Sequence, residues 1–534
     1  MSISLPLIIW SVHQISTDET IYRRRRQAEI VAAVHQSRAP VFRGVERACR
    51  KFLGLTVLRL RFLAAKIPGA RFIDGNNSIS TDTNGSTIGN DFVTTGSGND
   101  TISTHAGDDT ITGGGGADTL DGGAGDDTFN LASGDFAAGE SIAGGTGGDQ
   151  IVLTTSGNII DFTTGTLSGI ETLIGSNGDD GLTLSAAQYA AFSTIDLGSG
   201  TDYINVNVTG AVDISGANNP TLVSVEGLNL TGSNGNDSIT LSGEQLNAFA
   251  SSINLGGGTD TISLTSTSSV LNGLADGSLI NVEVISAAQA FGVNINLANQ
   301  SEGFTITGSG FADTLIGGAG NDTLVAAQND TLLDGGIGSD TLNVGAAFTS
   351  TGNAQIANIE NLLLTAAVTL NLSNQTEGFS IIGSSGADRI TGGGDVDSIN
   401  GQAGNDTIVG GAGGDRIIGG TGADILTVGL GADQFIYTGL TESTVSPSGR
   451  DSILDFSSAQ GDQINLSAID AVTRGSDDAF TFTNVFHHIS GELISVASGT
   501  NFIVQGDTNG DGIADFAIRV SNAATAPTSS DFIL

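Results

Sequence analysis

The sequence predicts an all-β protein, a parallel β-roll or β-solenoid of glycine-rich nonapeptide repeats, with a short basic helical segment at the N-terminus. Three observations predict this fold. Gly383 to Ile436 divides without a frame slip into nine-residue units of the form G-G-x-G-x-D-x-U-x, where U is a large apolar residue, and Ser86 to Asn130 forms a second such run. Glycine is abundant, at 79 of 534 residues. The x-U-x triplet alternates in the manner of a strand with one buried face.

The glycines and aspartates of each unit indicate a turn that could bind a cation. Glycine at places one, two and four allows a positive φ and a close approach of neighbouring backbones. Because two units would complete one coil, loops on one edge recur with every second unit, which is expected to bring Asp388 beside Asp406. The sixth place is aspartate throughout both runs, at Asp91, Asp100, Asp109, Asp118, Asp127, Asp388, Asp397, Asp406, Asp415, Asp424 and Asp433.

Stacked carboxylates favour a bound divalent ion. Neighbouring strands lie about 4.8 Å apart, and two carboxylates near that distance repel by about 1 kcal/mol even in water. Ca²⁺ accepts about six to eight oxygen ligands in flexible geometry, whereas Mg²⁺ gives up its water reluctantly. We therefore expect several Ca²⁺ ions as the cofactor. A series of Gly/Asp-rich turns without an ion is the alternative.

The two runs resemble the nonapeptides of the repeats-in-toxin (RTX) family, which wind a parallel β-roll that binds Ca²⁺. The resemblance implies that the aspartates of these runs are metal ligands. It also implies a first roll at residues 73–143 and a second at 383–436.

Residues 1–72 differ in kind from the rest of the chain, because they hold 13 of its 18 Lys and Arg residues. Tyr22 to His35 and Arg43 to Lys66 read as basic amphipathic helices. A membrane-surface or acidic-partner segment, a helical cap and an extension without a role all remain open. No basic region precedes the apolar stretch Leu5 to Trp10, so a secretory signal peptide is not expected.

Between the two rolls, residues 144–382 predict a wider, degenerate β-solenoid with long internal repeats. The segment LTLSAAQYAAFSTIDLGSGTDYI, which starts at Leu182, returns as ITLSGEQLNAFASSINLGGGTDTI from Ile239. Scattered nonapeptides in this region supply three more candidate metal ligands, Asp313, Asp322 and Asp340. In the first roll, His105 replaces a glycine; we expect a surface substitution there, because Ca²⁺ prefers oxygen.

The tail, residues 437–534, contains GADQFIYTGLTEST, GRDSILDFSSAQGDQINLSAIDA, GDTNGDGIADFAI and a terminal DFIL. These segments closely resemble the C-terminal domain of serralysin-type secreted proteases. The resemblance implies export by a type I ABC transporter complex, which reads an uncleaved C-terminal signal, and hence an extracellular location. Asp507, Asn509 and Asp511 have the spacing of a Ca²⁺ loop. No Glu stands at its twelfth position, so an ordinary hairpin turn is the alternative.

Charge and motifs exclude several function classes. The formal net charge of −39 argues against a nucleic-acid partner, and no apolar run reaches the roughly eighteen residues of a membrane span. None of the five histidines lies in an H-E-x-x-H motif. A polysaccharide lyase would need basic residues beside its acid/base carboxylates, and only Arg389 and Arg416 lie between residues 73 and 437. An enzyme is therefore not expected.

The sequence thus predicts a secreted, non-enzymatic calcium-binding protein that folds when it meets Ca²⁺ after type I export. Two alternatives remain: a surface-layer, adhesin or biofilm-matrix protein, and a polysaccharide-active β-solenoid. A cell surface or an anionic glycan is accordingly left open as a further partner.

Overall fold

The computed structural model describes residues 70–71, 78–80, 89–217, 219–249, 252–287, 291–472, 478–523 and 525–534. The basic helices predicted within residues 1–69 lie outside these ranges. The described chain is a parallel β-solenoid, which confirms the predicted fold class. Its helical segments are two short α-helices and four 3₁₀ turns: α1 (Ala186–Ala191), α2 (Gly243–Ala248), Phe162–Thr164, Leu271–Gly273, Pro447–Gly449 and Ser529–Asp531.

Three sheets form the faces of the N-terminal half, and all of their strands pair in parallel. An eight-stranded sheet contains, in order, Ala70–Arg71, Phe92–Thr94, Thr110–Thr112, Thr128–Leu131, Gln150–Leu153, Thr172–Ile174, Thr194–Asp196 and Thr221–Val223. A five-stranded sheet contains Ser78–Ser80, Thr101–Ser103, Thr119–Ala124, Ser141–Thr146 and Thr166–Ser168. A six-stranded sheet contains Ile159–Asp161, Gly181–Ser185, Tyr203–Asn207, Gly227–Thr231, Ser252–Asn254 and Leu279–Ile280.

Three further sheets form the C-terminal half. The largest has fourteen strands: Ala211–Asp213, Ser238–Leu241, Thr261–Leu264, Val284–Ala287, Thr305–Thr307, Thr323–Val325, Thr341–Val344, Asn361–Leu364, Ser380–Ile382, Ser398–Asn400, Arg416–Ile418, Gln434–Ile436, Gln463–Asn465 and Phe532–Ile533. A four-stranded sheet contains Asn294–Asn296, Thr314–Ile316, Leu332–Asp334 and Ile356–Ala357. A ten-stranded sheet contains Phe348–Thr349, Thr369–Asn371, Arg389–Thr391, Thr407–Ala412, Ile425–Leu430, Ser452–Ile453, Phe516–Ser521, Asn501–Asp507, Glu492–Ser498 and Thr481–Phe482.

The tail contains the antiparallel part of the fold. Glu492–Ser498, Asn501–Asp507 and Phe516–Ser521 pair in antiparallel fashion, and the last of these returns to parallel pairing with Ser452–Ile453. The fourteen-stranded and ten-stranded sheets both continue without a break across the predicted domain boundaries after residues 382 and 436. The domain limits given above therefore remain a proposal based on sequence. In the described part of the chain, no helix is long and apolar enough to span a membrane.

The core is a column of apolar side chains, one from the middle of each strand triplet. Ile390, Ile408 and Leu426 stack in register on one sheet, and each is at most 1% exposed. The β-branched and long aliphatic residues at the U place suit this position, because they pack well on a pleated, half-buried surface. Phe192 and Phe249, which match each other in the long repeat, are also buried.

Coil length distinguishes the nonapeptide runs from the first part of the middle region. In the rolls, ladder partners are separated by 18 residues. Between Asp127 and Glu283 the separations grow to between 22 and 27 residues, and from Val293 to Asp388 they are 17 to 20 residues. The extra residues of two middle coils form α1 and α2, and each helix begins with a capping box, Ser185 with Gln188 and Ser242 with Gln245. A capping box satisfies N–H groups that the first turn of a helix leaves free.

Candidate metal centres along the carboxylate ladders

Each nonapeptide aspartate bonds to the backbone of the preceding coil. The N–H of Asp388 donates to Oδ1 of Asp406 at 2.8 Å, and the N–H of Asp406 donates to Oδ1 of Asp424 at 2.8 Å. The stacking predicted from the sequence is therefore confirmed. The same bond links Asp91 to Asp109, Asp100 to Asp118, Asp109 to Asp127, Asp397 to Asp415 and Asp415 to Asp433. One oxygen of each accepting carboxylate is thereby satisfied by protein.

The second oxygen, Oδ2, divides the loops into two classes. In what we term an open loop, the residues at places two and four both have positive φ, as in Gly411 (131°) and Gly413 (131°) before Asp415. The place-two N–H then makes no bond to the aspartate, and Oδ2 of Asp415 is buried without a hydrogen-bond partner. Open loops with this buried, partnerless oxygen carry Asp118, Asp127, Asp149, Asp202, Asp260, Asp340, Asp406, Asp415, Asp424 and Asp433.

In a closed loop, the place-two N–H donates to Oδ2 of the aspartate four residues later. Gly393 donates to Asp397 at 2.6 Å, and its φ is not positive. Where place two is serine, as at Ser384 before Asp388, the hydroxyl adds a second bond of 2.9 Å. Closed loops carry Asp180, Asp237, Asp313, Asp322, Asp388 and Asp397.

The coil beneath a loop explains its class. Every closed loop follows a coil that lacks a nonapeptide there, so its Oδ1 accepts from an unrelated residue such as Val368 or Phe379. An open loop follows another nonapeptide loop, whose carbonyls approach its glycines. A Cβ added at Gly411 would lie 2.1 Å from the carbonyl oxygen of Gly393, and one at Gly413 would lie 2.7 Å from that of Asp395. Glycine therefore suits places two and four of an open loop both for φ and for space, although Gln402, with a φ of 75°, occupies place two before Asp406.

The glycine at place one leaves room beside the partnerless oxygen. A Cβ at Gly410 would lie 2.3 Å from Oδ2 of Asp415, and one at Gly113 would lie 2.3 Å from Oδ2 of Asp118. In the described ranges, no three Asp, Glu, His or Cys side chains gather closely enough to hold a metal by themselves. A cation at an open loop would therefore combine one carboxylate oxygen with backbone carbonyls, a set of hard oxygen donors that fits Ca²⁺.

The protonation of these carboxyls reflects their burial. Burial raises the pKa of Asp406 and Asp415 to about 7, against the lowering effect of the N–H bond each accepts and with a further rise from neighbouring aspartates. At the closed-loop Asp237, burial also acts to raise the pKa, but the bonds from Ser233 and Gly210 outweigh it and the pKa lies below its usual value. Without a cation, an open loop must either keep a desolvated charge or take up a proton.

Five of the ladders end at a glutamate that was not predicted from the sequence. Oε2 of Glu226 accepts the N–H of Asp202 at 2.8 Å, in the position where a further nonapeptide would have placed an aspartate. Glu140, Glu171, Glu283 and Glu360 do the same for Asp118, Asp149, Asp260 and Asp340. A sequence signal exists: apolar-Glu-x-apolar recurs at 170–173, 225–228, 282–285 and 359–362. In the second roll, Asp451 and Asp462 take this place.

The tail loop is satisfied internally. Oδ1 of Asp507 accepts from the N–H of Gly510 at 2.7 Å and Oδ2 from that of Gly512 at 2.7 Å, while Asn509 and Asp511 accept from the N–H groups of Asp511 and Ile513. These bonds shape the turn between two antiparallel strands. The geometry is that of the hairpin turn, and a Ca²⁺ site there stays a prediction.

The predicted metal residues therefore fall into both loop classes. Asp340 and the later aspartates of each roll lie in open loops, whereas Asp313, Asp322, Asp388 and Asp397 have both oxygens bonded by protein. Asp149, Asp202 and Asp260, not selected from the sequence, have the open geometry. His105 occupies place two with a φ of 71° and is exposed.

Comparison with known proteins identifies two families. The family described as RTX calcium-binding nonapeptide repeat (4 copies) matches residues 86–120, 105–135 and 307–342. The family described as peptidase M10 serralysin C terminal matches residues 374–534. No curated protein matches the sequence.

Among solved structures, the chain is similar to the AlgE6R2 subunit of the mannuronan C5-epimerase from Azotobacter vinelandii. The identity is 25%, the match covers 29% of this chain and 91% of that one, and the TM-score is 0.23. The AlgE6R3 subunit of the same enzyme matches at 25% identity over 29% of this chain and 77% of its own, with a TM-score of 0.15. At such TM-scores, neither likeness carries an argument about function.

Proposed function

Because the chain is an RTX protein with calcium-binding nonapeptides and a serralysin-type C-terminal domain, we propose that it is secreted by a type I exporter and folds outside the cell when Ca²⁺ binds its open loops. The observation that carries this proposal is the row of buried Oδ2 oxygens without hydrogen-bond partners, such as those of Asp406, Asp415 and Asp424.

A partnerless buried carboxylate makes the metal-free fold costly. An isolated charge taken out of water is destabilising by several kcal/mol unless it is paired. No Lys or Arg occurs between Arg71 and Arg389, and the two arginines of the second roll, Arg389 and Arg416, are exposed. Ca²⁺ bound only to the folded form would stabilise that form by mass action. In a cytosol where free Ca²⁺ is scarce, the repeats would stay unfolded; outside, millimolar Ca²⁺ suits sites with dissociation constants of about 10⁻⁴ to 10⁻³ M.

Export is proposed from the C-terminal domain. In the folded protein, Phe532–Ile533 is the last strand of the fourteen-stranded sheet, and Phe532 is only 6% exposed. An exporter that reads the C-terminal residues must therefore act before this strand docks. Keeping the repeats unfolded inside the cell would satisfy that requirement.

The proposed role is non-enzymatic. Both matched families describe a repeat and a C-terminal domain rather than a catalytic unit. The two arginines within the second roll, Arg389 and Arg416, are exposed on strands, and Arg416 donates to Gln434 at 2.9 Å. A panel of anionic glycans tests this part: binding or cleavage by the calcium-loaded chain would support the polysaccharide-active alternative instead.

The test of the proposal is circular dichroism and size-exclusion chromatography on the full chain. We expect low strand content and an expanded hydrodynamic size in EDTA, and a compact β-rich state in millimolar Ca²⁺. Mg²⁺ at the same concentration is the control and should not restore the fold, because it dehydrates reluctantly. A compact, β-rich chain in EDTA would contradict the proposal.

A further inference from the structure

The six-stranded sheet of the middle solenoid has an outer face that is almost free of charge. Its central strands, Gly181–Ser185, Tyr203–Asn207 and Gly227–Thr231, pair in register, so that alternate residues of all three point to the solvent side. These outward residues are Gly, Ser, Thr, Tyr and Asn. In a chain with a formal net charge of −39, a face without a carboxylate is unsuited to a metal ion or to a basic partner.

Tyr203 lies on this face between two glycines. Its strand partners are Gly181 on one side and Gly227 on the other. A Cβ added at Gly181 would lie 2.5 Å from both Cζ and Oη of Tyr203, so the ring extends over the backbone of the neighbouring strand. Neither glycine has a positive φ. Glycine inside a strand often marks a place where another group approaches the backbone closely, and here that group is the tyrosine ring.

The other side of the ring is open to solvent. Tyr203 is 40% exposed, although tyrosine carries a large apolar surface. Ile159, the partner of Gly181 on the next strand, is 75% exposed and extends the apolar strip beyond the ring. An aromatic ring that lies along a sheet in this way presents a surface on which the C–H groups of a sugar ring can pack.

Two asparagines stand beside the ring. Asn205 follows Tyr203 on the same strand by two residues, about 6.6 Å along it, and Asn229 is the partner of Asn205 on the next strand. Nδ2 of Asn229 donates to Oδ1 of Asn205 at 2.9 Å. This bond orients both amides and leaves Nδ2 of Asn205 as a donor and Oδ1 of Asn229 as an acceptor. Such a pair matches hydroxyl groups, each of which can donate and accept.

The surroundings favour an uncharged ligand. No Lys or Arg lies between Arg71 and Arg389, so a uronate or a sulfated sugar would find no cation on this sheet. At the border of the face, Oδ1 of Asp161 accepts from the N–H and the hydroxyl of Thr163 at 3.0 and 2.6 Å. An apolar surface with a few oriented polar groups is typical of small-molecule sites, and here the polar groups suit a ligand rich in hydroxyls.

We propose that this face, through Tyr203, Asn205 and Asn229, binds a neutral polysaccharide of hexopyranose units. One sugar stacks on the ring of Tyr203, and its hydroxyls bond to the two amides. No Asp or Glu points outward from the three central strands to act as acid or base, so the sugar is held and not cleaved. The inference goes beyond the proposed function and requires only a folded chain.

The experiment is affinity electrophoresis of the full-length, calcium-loaded chain in native gels that contain hydroxyethylcellulose, galactomannan or dextran. We expect slower migration in at least one of these neutral polymers than in a gel without polymer. Tyr203→Ala should weaken the binding by about threefold to tenfold, because the stacking surface is lost, whereas Tyr203→Phe keeps the ring and should retain it. The matched control is Phe311→Ala, which removes a ring that is 49% exposed elsewhere on the solenoid and should leave binding unchanged.

A second variant keeps the test decisive if urea unfolding in Ca²⁺ shows that Tyr203→Ala does not fold. Asn205→Ala combined with Asn229→Ala removes both amides and should also weaken binding by about threefold to tenfold. No retardation in any of the three polymers, or equal retardation of the unaltered chain and the folded variants, would overturn the inference and leave the proposed function intact. Retardation by polygalacturonate that disappears in Tyr203→Ala would overturn the neutral assignment. Failure of the proposed function would appear separately, as a chain that is compact in EDTA.

Discussion

The second roll, residues 383–436, and the middle solenoid, residues 144–382, use the same two kinds of loop in different arrangements. In the second roll, the closed loops of Asp388 and Asp397 are each followed by two open loops before the ladder ends at Asp451 or Asp462. In the middle, a closed loop such as that of Asp237 is followed by one open loop and then a glutamate. The difference teaches that each of these ladders starts at a closed loop, whose carboxylate oxygens both accept bonds from the protein, and ends at a carboxylate outside the nonapeptides. The number of open loops between these two ends sets the number of candidate ion sites.

The pH dependence of the metal-free chain should give the largest effect, because burial raises the pKa of ladder carboxyls in the open loops and also raises that of the closed-loop Asp397, to about 6. Burial raises the pKa of Asp118 to about 6, of Asp127 and Asp406 to about 7 and of Asp451 to about 8, from about 3.9 in an unfolded chain. The folded state then binds more protons than the unfolded state, so its stability is fully present below about pH 4 and is lost as the pH rises through 6 to 8. We expect more strand content, measured by circular dichroism, at pH 5 than at pH 8 in protein dialysed free of metal.

A Ca²⁺ titration at each pH is the companion to that experiment. An ion must displace protons from these carboxyls, so the Ca²⁺ concentration at the folding midpoint should fall as the pH rises from 5 to 8. The closed-loop Asp237, whose pKa is lowered by bonds from Ser233 and Gly210 against the opposing effect of burial, contributes in the opposite direction. Metal-free strand content that increased towards pH 8 would show that the ladder carboxyls are not protonated in the metal-free fold.

The glycine at place one should be intolerant of a methyl group in an open loop. Gly113→Ala would put a Cβ 2.3 Å from Oδ2 of Asp118, whereas a Cβ at Gly115 in the same loop meets nothing within 4 Å. Neither glycine has a positive φ, so the two variants differ only in space. We expect Gly113→Ala to cost about 1–3 kcal/mol of calcium-loaded stability and Gly115→Ala to leave it nearly unchanged, as measured by urea unfolding. Equal losses of stability in the two variants would show that the space beside Oδ2 of Asp118 does not hold an ion.

The two loop classes should respond in opposite ways to the same isosteric change. Asp415→Asn, in an open loop, should remove one bound Ca²⁺ and make the metal-free chain more stable, because a buried charge is lost. Asp397→Asn, in a closed loop, should leave the ion count unchanged and destabilise the chain by about 1–3 kcal/mol, because the amide NH₂ would face the N–H of Gly393 and leave that donor unpaired. Calcium counting and urea unfolding on both variants measure this; the same sign of stability change in both would contradict it.

The sequence was sufficient for the fold and for the stacking of the ladders, because a nine-residue period fixes which residues share an edge. It could not separate the loop classes. Gly393 and Gly411 are both glycine at place two, and only the coil beneath them decides whether their N–H groups turn towards the aspartate. The expectation that the carboxylates face one another was incomplete, because a backbone N–H lies between successive Oδ1 atoms. The run-ending glutamates escaped notice because none of them stands at the sixth place of a G-G-x-G-x-D unit, although Glu226 and Glu283 share a recognisable pattern.

Hydrogen exchange with mass spectrometry on the full chain tests the central claim most directly, namely that a divalent ion holds the open loops in register. The claim predicts that peptides covering Gln402 to Asp433 exchange within the dead time in EDTA and become protected in millimolar Ca²⁺, as the N–H bonds of Asp406 and Asp415 to the next coil form. Protection of those peptides in EDTA equal to that in Ca²⁺ would contradict it.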